Sequence, residues 1–496
     1  MFDESRPGEA FVLFRLANRL HRTTRPRVIE RMLLFHPGDP VSATEIAESE
    51  RLLRAERYFY DVRIRPVAVD GDTVDLEVDT RDVWSLTAGV AFHRTGGANA
   101  LSFELQDTNF LGLGKDVQLL YRSNVDRDEA YARYRDKSLL GTRLHLDLEA
   151  GEASDGHTGR IVLERPFYSL DSRWGVGVAL SDGTEVGSRS DLGHVTDRFA
   201  ARHDFAEVWG GFSPGLEGSS THRLTFGMTW SRDRFAPAPE GFDPVGGIVP
   251  ADRELIYPWV GWEWVEDGYV VLHDLDKIER SEDVNLGGEA GVRLGFAPSG
   301  WGENPGQAVV SARYRDGVRL GERNLLLVAA DLGGRFGGGG TEDLLASVTL
   351  REYFRDFDNG RLLVSLRAEM AHALSFDRQL LLGGDNGLRG YPLRYQQGDR
   401  ALLLSVEQRL YFDRELFHLF RVGAAAFFDV GRAWFGDRAD AVGRQLGTLR
   451  DLGVGLRLGS SRSARAGMVH LDIAMPLDGP SDVAHLQWLV STSETF

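Results

Sequence analysis

The sequence predicts an all-β, antiparallel transmembrane barrel of about 20 strands, preceded by one small α+β unit. Three observations carry this. From Val83 onward apolar and polar residues alternate with a period close to two. Leu144, Leu146 and Leu148 alternate with Arg143, His145, Asp147 and Glu149, and Leu224, Phe226, Met228 and Trp230 with Arg223, Thr225, Gly227 and Thr229. Leu402, Leu404 and Val406 repeat the pattern, as do Leu452, Val454, Leu456 and Leu458. Second, Arg, Glu, Asp and His recur on the polar face, with no helical stretch to cover it. A soluble sheet of that size would split and bury one face; closing it around a wet interior removes the edges. Third, no run of about 18 apolar residues offers a membrane helix, whereas a barrel strand needs only about five outward apolar positions in ten.

Composition narrows the function. The chain has 496 residues, 58 Gly, 17 Pro and a net charge of −17. Binding phosphate needs a basic face, so nucleic acid is not an expected partner. Cys is absent, which excludes disulfides, zinc–thiolate sites and thiol nucleophiles.

The elements follow in order. Residues 1–26 form an N-terminal segment in which 9–23 read as helix. No secretory signal is visible, because Phe11-Val12-Leu13-Phe14 is cut off by Arg15; the expectation for an exported barrel is a trimmed or miscalled start. Residues 27–82 read as strand (Val28–Phe35), helix, strand (Tyr58–Val67) and strand (Thr73–Val78). Ser42 with Glu45 makes a capping box opening a helix to Arg54, and Asp70-Gly71 is a hairpin turn. Such a unit can take up an extended peptide at an open sheet edge; Tyr58, Phe59, Tyr60, Val62 and Ile64 are the candidate client edge. Residues 83–496 are the barrel, closed by strands 84–95 and 484–494. Segment 233–253, rich in Pro and Gly, reads as an extracellular loop, and Asp358-Asn359-Gly360 as a periplasmic turn. Trp84, Trp230, Tyr257, Trp434 and Trp488 suit an interfacial girdle.

Two segments near the C-terminus carry the site. Gly387-Leu388-Arg389-Gly390-Tyr391-Pro392 is a turn-rich loop with one fixed cation. Phe427-Phe428-Asp429-Val430-Gly431 lies on a strand with Gly423, Ala425, Phe427, Asp429 and Gly431 on one face. Arg389 is placed to pair with Asp429, with Tyr391 and Phe427 beside them, though sequence logic alone favours an Arg389 in an exposed loop and an unpaired Asp429 in lumen water. Arg367, Glu369, Glu407 and Arg409 form a lumen-facing charge ladder around them.

These two segments resemble the RGY/F loop and F-x-D-x-G strand of the BamA/TamA-type outer-membrane assembly and secretion barrels, the bacterial surface antigen family. Gln106 to Lys115 resembles that family's turn after the second strand, and 27–82 resembles a single POTRA domain. The last strand ends in Phe496, similar to the family's C-terminal signal, although Thr492 and Glu494 occupy positions usually apolar. The resemblance implies a barrel of about 16 strands with five after the Arg389 loop; the alternation counts about 15 before the loop and five after. It also implies a lumenal latch made of Gly387, Arg389, Gly390, Tyr391, Phe427, Asp429 and Gly431. The implied function is insertion or translocation of unfolded or β-rich client proteins in the bacterial outer membrane. Capture would be by the POTRA-like unit in the periplasm, with passage through a lateral seam, outer-membrane lipid around the wall and a periplasmic or inner-membrane partner. The alternatives are a passive outer-membrane channel and an adhesive surface barrel.

Catalysis and cofactors are not expected. Gly211-Phe212-Ser213-Pro214-Gly215 matches G-x-S-x-G, but the residue after the serine must lend an N–H to the oxyanion hole and Pro214 has none. Gly112-Leu113-Gly114-Lys115 is followed by Asp116 rather than Ser or Thr, and Gly383-Gly384-Asp385-Asn386-Gly387 lacks the further acids of a calcium loop.

Overall fold

The computed structural model describes residues 18, 19 and 21–493, apart from 243–245, 274, 277, 279–280, 303–304, 339, 358, 418, 437–445, 462–467 and 482. Most of the segment 1–26 and the terminal Phe496 therefore lie outside the described residues.

The N-terminal unit is built from α1 (Pro26–Met32), α2 (Ala43–Arg54), β1 (Phe59–Asp70) and β2 (Thr73–Asp82). Residues 28–32, expected as strand, are helical. Pro26 sits in the first turn, where its fixed φ favours a helix start and its missing N–H costs nothing. The β-branched pair Val28 and Ile29 suggested strand, but as a helix the segment buries Val28 beside Gly114 of the wall and packs Ile29 and Met32 on the core of the unit. The Ser42 hydroxyl accepts the N–H of Glu45 at 3.3 Å and caps α2. Leu53 of α2 is fully buried against Tyr58, Phe59, Val62 and Ile64. These side chains are thus the core of the unit and not an accessible row; any strand added to β1 would meet its backbone. Only Tyr60 of the five faces outward, under the Arg81 guanidinium.

The unit is docked on the wall. Asp82 accepts both the N–H and the hydroxyl of Thr24, which in turn accepts from Asn109. Arg25 N–H donates to Gly112 O at 3.0 Å. Gly112 tolerates no side chain, since a Cβ there would lie 2.4 Å from Thr23 O. The Gly112–Lys115 segment is therefore a seat for the N-terminal unit. The Glu48 carboxylate accepts the Leu170 N–H at 2.7 Å, and burial holds the carboxyls of both Glu48 and Asp82 above their ordinary range.

The wall is a closed antiparallel barrel of 20 strands, from Leu86–Thr95 to Gln487–Ser493. Fifteen strands precede the Arg389 loop and five follow, as the alternation counts and against the 16 implied by resemblance. Outward positions are apolar and exposed: Leu402, Leu452, Val454, Leu456 and Ile473. Inward positions are polar or small, as a wet lumen allows. Among the wall strands, Trp174–Asp191, His194–Phe212 and Ser220–Pro237 are 18, 19 and 18 residues long. Residues 233–237, expected in a loop, complete the last of these. Apolar outward residues occupy only the half nearer the N-terminal unit: Trp174, Val176, Val178, Leu180, Val208, Phe212, Leu224 and Phe226. Beyond them Asp182, Arg202, Asp204 and Arg232 point outward in ion pairs. These strands rise past the apolar band. Tyr257 joins the inner face shared by Trp259, so it is not part of a girdle.

Closure is thin. Among the described residues, the ladder between the first and last strands is Val490 opposite Arg94 alone, while the neighbouring ladder runs from Met468 opposite Ser493 to Ala474 opposite Gln487. Outside, Trp488 stacks on Phe92 at 5.7 Å and lies under Arg94 at 4.6 Å. Two further segments fold inward. One runs between Gly360–His372 and Arg400–Leu416 and contains the pair Leu380–Leu382 and Gln396–Gly398. The other is the hairpin Tyr269–His273 with Ser281–Asn285, at the rim nearer the N-terminal unit.

Candidate functional site

The lid, residues 373–399, lies inside the lumen because its own apolar side chains need cover. Leu382, Leu388 and Tyr391 are fully buried, packed against Ala401, Leu403 and Ala433 of the wall. The turn at its tip depends on glycine. Gly387 has φ +130°, and a Cβ on it would lie 2.2 Å from Leu403 Cδ2. Gly390 leaves 2.7 Å between such a Cβ and Asp451 Cβ, and Gly431 makes room for Leu382 and Leu388. Asn386 Oδ1 accepts the Gly383 N–H at 2.7 Å, so the Gly383–Gly387 run is a self-bonded turn.

Arg389 projects from this tip onto the wall. Its Nε donates to Asp429 Oδ2 at 2.7 Å and its Nη2 to Asp429 Oδ1 at 2.9 Å, a bidentate fork. Nη1 donates to Glu407 Oε2 at 2.6 Å, Nη2 to Ser405 Oγ at 3.2 Å, and the guanidinium centre stands 3.4 Å from the Phe427 ring centroid. Phe427 can present its face because the next strand carries Gly453, where a Cβ would meet the ring at 2.3 Å. The Tyr391 hydroxyl lies 2.8 Å from Arg450 O and 2.9 Å from Asp478 O, tying the far side of the tip to two further strand ends.

The charge ladder divides in two. Glu407 is the hub: it meets Arg389, Arg409 at 2.7 Å and Arg457 at 3.0 Å. Arg457 is fully buried and also pairs with Asp472. Arg367 and Glu369 pair with each other at 3.3 Å, and Arg367 donates to the lid carbonyl of Asn386 at 2.7 Å. Those two tether the lid higher up and do not join the hub. Sequence reasoning assigned no part to Ser405, Arg457 or Asp472. All three occupy inward positions of alternating strands, which is the signal that marks them; what it does not mark is which inward charges converge across strands far apart in sequence.

The lid is held all round its edge. Arg253 pairs with Asp233 at 2.8 Å and with Asp377 at 2.7 Å. Arg394 pairs with Asp126 at 2.6 Å, Ser190 N–H donates to Gln379, and Gln396 accepts the Ala433 N–H. Elsewhere, Ser213 serves its turn, its hydroxyl accepting the Gly215 N–H at 3.0 Å and lying 3.1 Å from Thr221 Oγ1.

Fold and site together define a class: a transmembrane barrel whose lumen holds an inward-folded lid anchored by one arginine. CdiB from Escherichia coli has this fold, with a TM-score of 0.51 at 16% identity over 94% of this chain and 73% of that one. CdiB from Acinetobacter baumannii gives 0.49 at 13% identity over 95% and 71%, and BamA from Haemophilus ducreyi lacking POTRA domains 1–3 gives 0.44 at 13% over 94% and 81%. No family model matches the chain, and no curated protein matches it in sequence. At these identities the likeness is one of fold.

Proposed function

We propose that the protein works in the bacterial outer membrane as a BamA/TamA-type barrel, inserting or translocating β-rich client proteins. The observation that carries this reading is the seam. Every ladder bond missing between Leu86–Thr95 and Gln487–Ser493 leaves backbone donors and acceptors on a strand edge, and such an edge pairs with an incoming strand. The N-terminal unit stands on the periplasmic side, where the two-stranded sheet of β1 and β2 offers a further backbone edge. A periplasmic or inner-membrane partner would dock there. Arg389 and its carboxylates latch the lid to the strand Phe420–Trp434. Clients are recognised by backbone pairing, so no catalytic group or cofactor is required. A lumen filled by the lid argues against a free channel, the reading an open bore would favour.

The test uses Arg94→Cys with Val490→Cys. These residues face each other across the seam, within the reach of a disulfide, and the chain has no other Cys. Oxidation should abolish insertion of a small unfolded barrel protein into proteoliposomes, and reductant should restore it. Undiminished insertion with the seam locked would sink the proposal.

A further inference from the structure

The hairpin Tyr269–His273/Ser281–Asn285 has a part to play that the lid and seam do not explain. It leaves the wall between Arg253–Glu266 and Glu289–Ala297. Its tip does not stay near those strands. Ile278 is buried against Tyr411 and Met468, and seven wall strands separate Glu289–Ala297 from Met468–Pro476. In a wall of 20 strands, the tip has crossed almost to the opposite side. Leu275 meanwhile packs on Leu325, Leu327 and Tyr353. The tip is pre-shaped by Glu282, whose carboxylate accepts the N–H of Leu275 at 3.0 Å and of Asp276 at 3.2 Å.

Both ends of this crossing are tied to something else. On its stem, Arg54 of α2 grips Asp283, opposite Val271, through two bonds of 2.9 and 2.7 Å, and at its base Arg51 lies 4.1 Å over the Tyr269 ring. At its tip, Arg409 donates to Leu275 O at 3.3 Å and stands 3.6 Å from Asp276. The same Arg409 is bound to Glu407, and Glu407 to Arg389. One unbroken run of ion pairs and backbone contacts therefore joins the N-terminal unit, the hairpin, the hub and the lid.

We propose that this hairpin is a floor that bars the lumen at the periplasmic end and links the N-terminal unit to the lid. By gripping Asp283 the N-terminal unit keeps the tip seated on Arg409; when that grip is released the tip leaves Arg409 and frees Glu407 and Arg389 to let the lid go. A lid alone would close one mouth; floor and lid in series make opening conditional on what the N-terminal unit holds.

The measurement is single-channel conductance of the purified full chain in planar bilayers. It needs no client, so it stands or falls independently of the insertase reading. Arg54→Ala severs the grip on the stem, and Asp283→Asn does so from the other side should the first variant fail to fold, folding being read by heat-modifiable gel mobility. Either should raise the frequency of openings several-fold over wild type. The lock is Ile278→Cys with Gly459→Cys, because a Cβ on Gly459 would lie 3.3 Å from the Ile278 Cβ, close to the spacing within a disulfide. In the Arg54→Ala background, oxidation should return openings to the wild-type frequency and reductant should release them. Failure of the disulfide to form would refute the placement of the floor. A formed disulfide that leaves the openings unchanged, or severed variants as quiet as wild type, would refute the coupling.

Discussion

Arg389 shows what a single side chain can and cannot contribute in a lumen. Its fork meets Asp429 and its remaining donors reach Glu407 and Ser405. Arg389→Ala leaves Asp429 and Glu407 facing one another across low-dielectric space, which costs about 3–5 kcal/mol for a dry pair and less where water enters. The expected readout is a lower temperature of the heat-induced gel shift. Arg389→Lys should recover little of it, since an ammonium cannot make the fork. Three guanidiniums, on Arg389, Arg409 and Arg457, face the carboxylates of Asp276, Glu407, Asp429 and Asp472. Asp451 lies directly opposite Asp429 in register, and any charge it carries there would be repelled by up to about 1 kcal/mol. Asp451→Asn should therefore raise the gel-shift temperature slightly; a fall would show that its charge is used. Outside the membrane, Glu48 gives a pH dependence. Burial raises its carboxyl above the ordinary 4.5, against the Leu170 N–H and Arg51. A raised carboxyl contributes its full stability below that ordinary value and loses it as pH climbs through the folded one. Docking of the N-terminal unit should tighten on acidification from neutral pH, read as slower intrinsic-rate-corrected amide exchange at Leu170. Glu48→Gln should flatten that response; a flat wild-type profile would contradict it.

At the level of elements, legibility followed periodicity. Alternation such as Leu452-Gly453-Val454-Gly455-Leu456 reports a wall strand because the lipid outside imposes it on every second residue. It placed fifteen strands before the lid and five after. It misread Val28–Met32, where β-branched residues outweighed the Pro26 start, and it ended the Ser220–Pro237 strand early because Pro237 and Pro239 read as loop. The Arg389–Asp429 proximity was open to spacing and came from resemblance. The floor hairpin was invisible: Tyr269–His273 and Ser281–Asn285 look like any short strands, and nothing local says that Ile278 meets Met468. The seam is the element most exposed to substitution. With Arg94→Cys and Val490→Cys in place the Arg94 contact is already gone, so Trp488→Ala then removes the Phe92 stack, worth about 1 kcal/mol. Disulfide formation between Arg94→Cys and Val490→Cys should then slow, since the two strands spend less time in register.

Taken whole, the molecule is a lipid-facing wall with a lid, a floor and an N-terminal unit fastened to one another by ion pairs. Closed at rest, wild type should conduct little, and Arg389→Ala should open it more often in the same bilayers. The wall is also uneven in height. The strands Trp174–Asp191, His194–Phe212 and Ser220–Pro237 stand far taller than the last strand, Gln487–Ser493. In the orientation proposed above, these three strands would carry a pleated sheet past the apolar band on the side away from the N-terminal unit. An antibody or phage tail fibre recognising Arg202 and Arg232, both held in place by Asp204 beneath them, would bind a conformation-dependent epitope, one that survives protease shaving and vanishes when the protein is boiled.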